Sequence, residues 1–348
     1  MGRPSITCDV LVVGLGVAGI GAAVRAAREG AHTVAIERRG CPGGVAVAGM
    51  HRFICGLYVN GEDEPDGTLN GGMAAELRSS LKGLAPGRGV QRMGKVHVLP
   101  FARQDLVSSF RSLSEDERKL EILYDTWAVS VSTEQNAIAA ITAQNQTGEF
   151  DVVPSAVVDC SGDGVIVQMS GAPHQVPPSD QRQLAGYSFR LRGLEDLDGM
   201  LPVQVPYYLA KAVKEEEMPP YLRFTSYSPG DAGDEGYFRL NIPPAGPDRR
   251  EQARQDAKRV HQYLCQVLPA FKGSEIAEMS PEVVYREGAR ARGEYILSAD
   301  DVLNARKFAD GAVKNAWPIE LWDQQTGPSH RYLDPGEYYE IPDRKSVV

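Results

Sequence analysis

Three glycines near the start of the chain have the spacing of a nucleotide-binding loop. Gly14, Gly16 and Gly19 form the pattern G-x-G-x-x-G between a short apolar run and an alanine-rich segment. In this pattern the first glycine permits a tight turn, and the second lets the backbone approach a pyrophosphate because no Cβ intervenes. The third lets a helix pack closely on a sheet, and the amino terminus of that helix directs N–H groups and a positive dipole end at the phosphates.

An acidic residue follows this loop at the distance that ribose recognition requires. Glu37 lies about 20 residues further on, at the end of a second apolar run, where its carboxylate can accept hydrogen bonds from both ribose hydroxyls. A tightly packed strand–helix–strand unit without a ligand would need the glycines but not the acid. The sequence therefore predicts a dinucleotide-binding site.

A second pair of glycines, Gly43 and Gly44, indicates which dinucleotide binds. A nicotinamide cofactor has no evident use for a second close approach of backbone to ligand, whereas FAD, bound extended with its diphosphate near two loops, does. A further small-residue turn at 161–163 follows another apolar run. We therefore expect FAD as the cofactor. The residues expected to bind it are Gly14, Gly16, Val17, Ala18, Gly19, Glu37, Arg38, Gly43, Gly44, Val45, Ala128, Ser161, Gly162 and Asp163.

The elements that must position these residues form a strand–helix–strand unit and a later meander. Val10–Val13 and Thr33–Ile36 are predicted strands, and the segment 16–28 is predicted to be the helix between them. Three strands of a β-meander are predicted at 122–131, 137–143 and 150–153, and residues 156–160 return to the pattern of a buried strand. Further helices are predicted over 71–81, 102–116, 249–268 and 298–313.

The length and a change in character along the chain predict two domains. A chain of 348 residues is long enough for two. From Pro173 onward, proline clusters interrupt strand-like runs such as "GYSFRLRG" and "GYFRLNI", which indicates an antiparallel sheet. We expect a cofactor-binding domain over 1–172 that includes the meander, a substrate domain over 173–285, and a segment over 286–348 that returns to the first domain.

The composition argues against several classes of protein. The formal net charge is −9, and basic and acidic residues are interleaved, which argues against a nucleic-acid partner. The five cysteines contain no C-x-x-C pair, so neither a zinc site nor an iron–sulfur cluster is expected. No apolar run has the length of a membrane span, and the first residues lack the features of a secretory signal. We therefore expect a cytoplasmic protein.

Several segments resemble the FAD-dependent oxidoreductases related to the fumarate reductase and succinate dehydrogenase flavoproteins, and among them those of unassigned substrate found in many bacteria. "DVLVVGLGVAGIGAAVRAAREGAHTVAIE" is similar to that family's FAD fingerprint, and the glycine pair at 43–44 is similar to its second phosphate loop. "VVDCSGDG" is similar to its D-A-T-G-D-G segment, and "REGARARGEYILSADDV" to a segment near the flavin, with the second arginine shifted to Arg290 or Arg292. The resemblance implies an α/β fold, in which a Rossmann-type FAD-binding domain is interrupted by a mixed α+β substrate domain.

Four side chains are candidates for the chemistry next to the flavin. Flavin performs hydride or electron transfer itself, so the protein is expected to supply a cation or N–H group and a proton donor. By the resemblance, His51 and Arg52 follow a stretch that leads toward the isoalloxazine, where His51 could donate a proton or hold a carboxylate; a structural or surface histidine is the alternative. Arg286 and Arg290 could bind an anionic substrate through forked hydrogen bonds, and salt bridges with nearby glutamates are the alternative.

The end of the chain departs from the family pattern. The resemblance implies a last strand, turn and helix beyond "YYEIP", with the helix amino terminus facing the flavin pyrimidine, whereas here only "DRKSVV" follows. A truncated form, a subunit completed by a partner chain or a second copy, and a degenerate protein are the three explanations. We expect an FAD-dependent oxidoreductase that exchanges hydride with a small organic substrate. The alternatives are a tRNA-modifying flavoprotein and a non-catalytic nucleotide-binding subunit or inactive fragment.

Overall fold

The computed structural model describes residues 3–195, 199–343 and 345–346. The predicted domains also include residues 1–2, 196–198, 344 and 347–348, which lie outside the described residues. The helices in it are α1 (Val17–Arg28), α2 (Gly44–Ala48), α3 (Met73–Leu84), α4 (Arg103–Glu115), α5 (Val165–Met169), α6 (Leu201–Lys214), α7 (Arg249–Val267) and α8 (Ala299–Leu303), with short 3-10 helices at Pro220–Phe224 and Pro269–Phe271. The strands are β1 (Ser5–Val13), β2 (Thr33–Ile36), β3 (Phe53–Ile54), β4 (Gln91–Met93), β5 (Val96–Pro100), β6 (Leu120–Leu123), β7 (Trp127–Glu134), β8 (Ala137–Asn145), β9 (Gly148–Asp159), β10 (His174–Gln175), β11 (Ala185–Arg192), β12 (Ser226–Pro229), β13 (Gly236–Ile242), β14 (Glu275–Met279), β15 (Arg290–Ala291), β16 (Tyr295–Ile296), β17 (Gly311–Asn315), β18 (Ile319–Asp323), β19 (Gly327–Arg331), β20 (Tyr339–Pro342) and β21 (Lys345–Ser346).

A six-stranded sheet with the order β6-β2-β1-β9-β8-β7 forms the first layer. Strands β6, β2, β1 and β9 are parallel, whereas β8 and β7 are added antiparallel. Val13 at the end of β1 pairs with Ile36 on one side and with Asp159 on the other. The loops after β1, β2 and β9 therefore leave the sheet side by side at its carboxyl edge, which is where open α/β sheets bind ligands.

Both faces of this sheet are covered, which explains why residues 10–13 of β1 and 34–36 of β2 are all apolar. Val12 and Ala35 pack on the side of α1 and α4, together with Ile20 of α1 and Phe110 of α4. Val13 and other residues of the opposite face join a second core with the meander strands and α5. The predicted α/β class is confirmed, and the predicted α1 and β2 agree with the structure to within one residue.

The limits of the meander differ from those predicted. The segment 122–131 is divided, because Asp125 has left-handed backbone (φ 50°) and separates β6, which pairs with β2, from β7, which begins the antiparallel hairpin. The two strands predicted at 150–153 and 156–160 are one strand of 12 residues, β9. Its first half pairs with both β8 and β1, and its second half continues along β1 to the loop at 160–164.

The second layer is an antiparallel sheet with the order β12-β13-β11-β14. Alternate residues of β11 and β13, including Phe189 and Phe238, pack on α6 and α7 and form an apolar core. The opposite face carries Gly186, Arg239 and other polar residues of the same strands. Because side chains alternate along a strand, this sheet presents one apolar and one polar face, and the polar face is the one available to a site.

The return segment contains a shorter helix than predicted. The helix expected over 298–313 ends at Leu303, and β17 occupies 311–315. Ser298 and Asp301 form the capping box that starts α8. The same Asp301 carboxylate accepts a hydrogen bond from Arg306 at 2.7 Å, and Ala305 has a left-handed backbone (φ 49°), so the chain turns back after one helical turn instead of continuing.

Candidate flavin and substrate site

The three glycines of the first loop are required for different reasons. A Cβ on Gly19 would lie 1.8 Å from the carbonyl oxygen of Gly14, so α1 can approach the sheet only because residue 19 has no side chain. Gly14 has a left-handed backbone (φ +92°), and its Cβ would lie 2.7 Å from the carbonyl oxygen of Cys160. At Gly16 the nearest protein atom to an added Cβ would be the Cα of Gly44, at 3.9 Å. Protein packing therefore explains why positions 14 and 19 are glycines, but it does not explain the glycine at position 16.

The second glycine pair lies directly opposite the first loop. A Cβ on Gly44 would lie 2.9 Å from the Cα of Gly16, and the N–H of Gly43 donates to the carbonyl oxygen of Leu15 at 2.8 Å. No described side chain caps α1, so the N–H groups at Val17 and Ala18 face outward from its amino terminus. Two stretches of bare backbone thus meet at the sheet edge. This is the arrangement that a diphosphate requires.

The acid after β2 is buried and held in place by the backbone. One oxygen of Glu37 accepts from the N–H of Leu15 at 2.7 Å, and the other accepts from the N–H of Arg39 at 3.0 Å. A carboxylate has about four acceptor positions, so the group keeps capacity for two hydroxyl donors. The backbone carbonyl of Glu37 accepts a hydrogen bond from the N–H of Thr126. Strand β7, which contains Ala128, therefore begins directly beside the end of β2.

The remaining predicted cofactor residues lie around these loops. Val45 is exposed at the start of α2, and Arg38 is exposed and forms an ion pair with Glu282 at 3.1 Å. In the loop after β9, the hydroxyl of Ser161 donates to Asp159 at 2.6 Å, and open space lies beside Gly162. The carbonyl of Asp163 accepts from the N–H of Ala289 at 3.1 Å, so the return segment closes on this loop.

His51 lies in the space between the two layers. It directly follows Met50, a non-glycine residue with a left-handed backbone (φ 53°), which redirects the chain at the end of α2. Its Nε2 atom is buried and has no hydrogen-bond partner among the described residues. Burial, together with the nearby positive charges of Arg239 and Arg286, lowers the pKa of His51 to about 4. The imidazole is therefore neutral at neutral pH.

The two arginines expected to bind an anion have different surroundings. The guanidinium of Arg290 forms an ion pair with Glu287 at 3.4 Å. That of Arg286 donates to the carbonyl of Leu184 at 2.8 Å and to Asn241 at 3.1 Å, and lies 4.2 Å from the centre of the Trp322 ring. No described carboxylate forms an ion pair with Arg286. Burial, then repulsion from Arg239, lowers the pKa of Arg286 to about 10, although Glu320 opposes the shift.

Arg239 was missed by the sequence analysis. It lies on the polar face of β13, between Tyr237 and Asn241 on the same face, and its guanidinium lies over the backbone of Gly186. Its Nε is buried without a partner, and among the described residues no ion pair or hydrogen bond involves this side chain. Burial lowers the pKa of Arg239 from its ordinary value. The only sequence signal was the alternation in "GYFRLNI", which places an arginine opposite the apolar face.

Arg52 lies beside a polar cavity of about 260 Å³ and ties the two layers together. It pairs with Asp231 at 2.7 Å and lies 4.3 Å from the centre of the Tyr237 ring. The other arginines of this cavity are also compensated, because Arg103 and Arg190 both pair with Glu278, at 2.5 and 3.7 Å. Arg239 and Arg286 therefore differ from their neighbours because no carboxylate among the described residues forms an ion pair with either of them.

Comparison with known sequences agrees with this geometry. The sequence model of the family described as FAD dependent oxidoreductase matches residues 9–345. The chain belongs to this family. Its cofactor is FAD, and the Rossmann-type fold that the resemblance implied is confirmed. No curated protein matches this chain.

Several solved structures resemble this chain at low identity. BexE is 14% identical, with a TM-score of 0.50, and the match covers 82% of this chain and 53% of BexE. The anhydrotetracycline hydroxylase OxyS from Streptomyces rimosus is 13% identical, with a TM-score of 0.49 and coverage of 83% and 55%. The flavin-dependent monooxygenase PieE, solved with FAD and substrate, is 13% identical with a TM-score of 0.47, and the match covers 84% of this chain and 52% of PieE. The chain spans about half the length of these proteins.

Neither a membrane-spanning helix nor a cluster of metal-binding side chains is present among the described residues. Within the part of the chain that the structure describes, no helix has both the length and the apolar character needed to cross a bilayer. The same residues contain no group of three or more histidine, cysteine, aspartate or glutamate side chains placed to hold a metal ion.

Proposed function

We propose that this family member exchanges hydride between the N5 atom of FAD and a small organic molecule bound between the two layers. The observation that carries the proposal is the open space at Gly16, because the bare backbone there is required by no protein atom and faces the equally bare Gly44. The division into a cofactor domain over 1–172, a substrate domain over 173–285 and a return segment is part of this proposal. The narrower relation to the fumarate reductase and succinate dehydrogenase flavoproteins is also part of this proposal.

The described residues fit the separate parts of FAD. The backbone at Gly16, Val17 and Gly44 would hold the diphosphate, and the buried Glu37 carboxylate would accept hydrogen bonds from the ribose. The loop 161–163 and the stretch after Gly44 would extend along the rest of the molecule toward His51. Bound in this way, flavin supplies the electron-transfer chemistry, and the protein supplies binding and orientation.

The residues between the layers would position the substrate and exclude water. His51 is neutral, so its Nε2 can donate or accept a hydrogen bond without carrying charge. Asn241 orients Arg286 through a hydrogen bond of 3.1 Å, and Trp322 covers the guanidinium. Arg52, paired with Asp231, would hold the second sheet over the site rather than contact the substrate. Arg290 would serve mainly through its ion pair with Glu287.

A test of the flavoenzyme proposal needs no knowledge of the substrate. The purified protein is expected to be yellow, to lose its flavin bands when dithionite is added, and to regain them in air. Protein that stays colourless and binds no added FAD would refute the proposal and support a non-catalytic fragment. Retention on tRNA at physiological salt would instead support the tRNA-modifying alternative. A screen of small organic compounds under anaerobic conditions, read by flavin bleaching, would then identify the substrate.

A further inference from the structure

A cavity of about 250 Å³ lies among the helices that cover one face of the first sheet. Three of these helices supply its walls, with Ile20 in α1, Leu77 in α3 and Phe110 in α4. The loop that follows β3, at residues 55–57, forms a further wall. The polar cavity beside Arg52 is lined by entirely different residues, so the two cavities are different sites.

The lining of this cavity is apolar and contains no charged side chain among the described residues. Asn70 and Cys55 are its polar members. The side-chain amide of Asn70 is already engaged, because it donates to the backbone carbonyl of Lys314 at 2.7 Å and accepts from the N–H of Lys314 at 3.0 Å. Desolvation of the Cys55 thiol, then the charge of Glu320, raises its pKa to about 11, so the thiol is neutral. Cavities with such a lining stay dry and bind apolar molecules.

Gly21 is the residue of α1 that leaves room for this cavity. A glycine inside a helix is less favourable than an alanine, so its presence there needs a reason. Close packing explains Gly19, because an added Cβ would lie 1.8 Å from the carbonyl oxygen of Gly14. A Cβ on Gly21 would meet no described atom within 4 Å, and the backbone at this position is helical. Neither packing nor backbone conformation requires a glycine at position 21, and the space that it leaves belongs to the cavity.

Two of the lining residues place the cavity next to the proposed cofactor and substrate site. Val17 is the first residue of α1 and directly follows the glycine loop. Cys55 lies close enough to Arg239 and Glu320 for their charges to act on its thiol. A molecule in the cavity would therefore contact the helix that is proposed to bind the diphosphate, and it would do so through apolar surface.

We propose that this cavity is a second binding site, which takes an uncharged apolar compound of one or two rings, and that residue 21 is a glycine because a side chain there would fill the site. The volume decides the size of the ligand. An engineered cavity of about 150 Å³ lined by leucine, isoleucine and phenylalanine binds benzene, and the present cavity is large enough for a second ring. All of its walls are protein, so the site does not depend on the proposed function, which concerns a molecule between the two layers.

The proposal is tested by calorimetric titration of the purified protein with naphthalene, both as isolated and after removal of bound cofactor. We expect one molecule to bind per chain and to raise the temperature of thermal unfolding in both forms. Naphthalene-2-sulfonate is the matched probe, because it carries the same two rings and a charge that an apolar lining does not compensate. We expect the sulfonate to bind roughly tenfold more weakly or worse.

Variants that fill the cavity from two different helices separate this site from general hydrophobic binding. Gly21→Leu in α1 and Ala74→Leu in α3 each place a larger side chain in the cavity. Each should weaken naphthalene binding roughly tenfold or more, because the new side chain takes the volume in which a ring would bury its surface. The matched control is Gly83→Leu, at a helical glycine whose Cβ also meets no described atom within 4 Å but which does not line the cavity. This control should bind naphthalene like the parent protein.

Three results would overturn the inference. The first is the absence of naphthalene binding to the parent protein, and the second is equal binding of naphthalene and its sulfonate. The third is parent-like naphthalene affinity in the cavity-filling variants, whose thermal unfolding shows that they are folded. Failure of the proposed function is a distinct outcome, because a protein that holds no FAD can still be titrated with naphthalene.

Discussion

Substitution of Gly16 tests the cofactor site directly, because the structure separates its effect on FAD from its effect on folding. A Cβ at this position would meet no protein atom closer than the Cα of Gly44 at 3.9 Å. The cost to folding is therefore small, about 1 kcal/mol or less for an alanine at the start of a helix. A valine would instead occupy the space where the diphosphate meets the backbone. Losing two charge-assisted hydrogen bonds there costs about 3–6 kcal/mol, or roughly a hundredfold or more in affinity.

The assay is a titration of apoprotein with FAD, followed by the quenching of flavin fluorescence. Gly16→Ala is expected to weaken binding, and Gly16→Val to weaken it further, while the unfolding temperature of both apoproteins stays close to that of the parent. The matched control is Gly21→Ala in α1, where a Cβ also meets no atom within 4 Å. This control should keep full affinity and gain stability of about 1 kcal/mol from the helical preference of alanine. Unchanged FAD affinity in Gly16→Val would refute the assignment of this loop.

Three further predictions concern stability. Gly19→Ala, with its Cβ 1.8 Å from the carbonyl oxygen of Gly14, should destabilise the apoprotein by more than about 3 kcal/mol, measured by denaturant unfolding; a smaller loss would contradict the packing argument. Because the pKa of His51 falls from 6.5 unfolded to about 4 folded, its neutral form stabilises the fold above pH 6.5, and this contribution is lost as the pH falls toward 4. His51→Gln should therefore remove a pH dependence of about 1.4 kcal/mol per unit in that window, and identical pH profiles would exclude it. Tyr221 donates to the buried Asp256 at 2.8 Å, so Tyr221→Phe should cost about 1.5–3 kcal/mol in thermal unfolding without changing FAD affinity.

Local patterns predicted the parts of the fold that depend on neighbours in sequence. The alanine-rich α1 and the strand β2 were predicted to within one residue, because glycine spacing and apolar runs are local signals. Strand β1 begins at Ser5, five residues before the predicted Val10, because its first half is not an apolar run. The helix expected over 298–313 was wrong beyond Leu303. Its early end depends on Arg306 turning back to Asp301, a contact that competes with the helical pattern and that periodicity does not contain.

The amino-acid sequence by itself predicted FAD as the cofactor and the edge of a parallel sheet as its site, because the backbone chemistry of a phosphate loop depends on a few adjacent residues. Only the tertiary structure decided which buried arginines, among the residues that it describes, form no ion pair with a carboxylate. Whether a guanidinium is compensated depends on carboxylates far away in sequence, such as Asp231 for Arg52 and Glu278 for Arg103. Arg239 and Arg286 meet beside His51 because β13, the segment after β14 and the end of α2 converge there. Electrostatic balance is a property of that convergence, and no spacing within one segment reveals it.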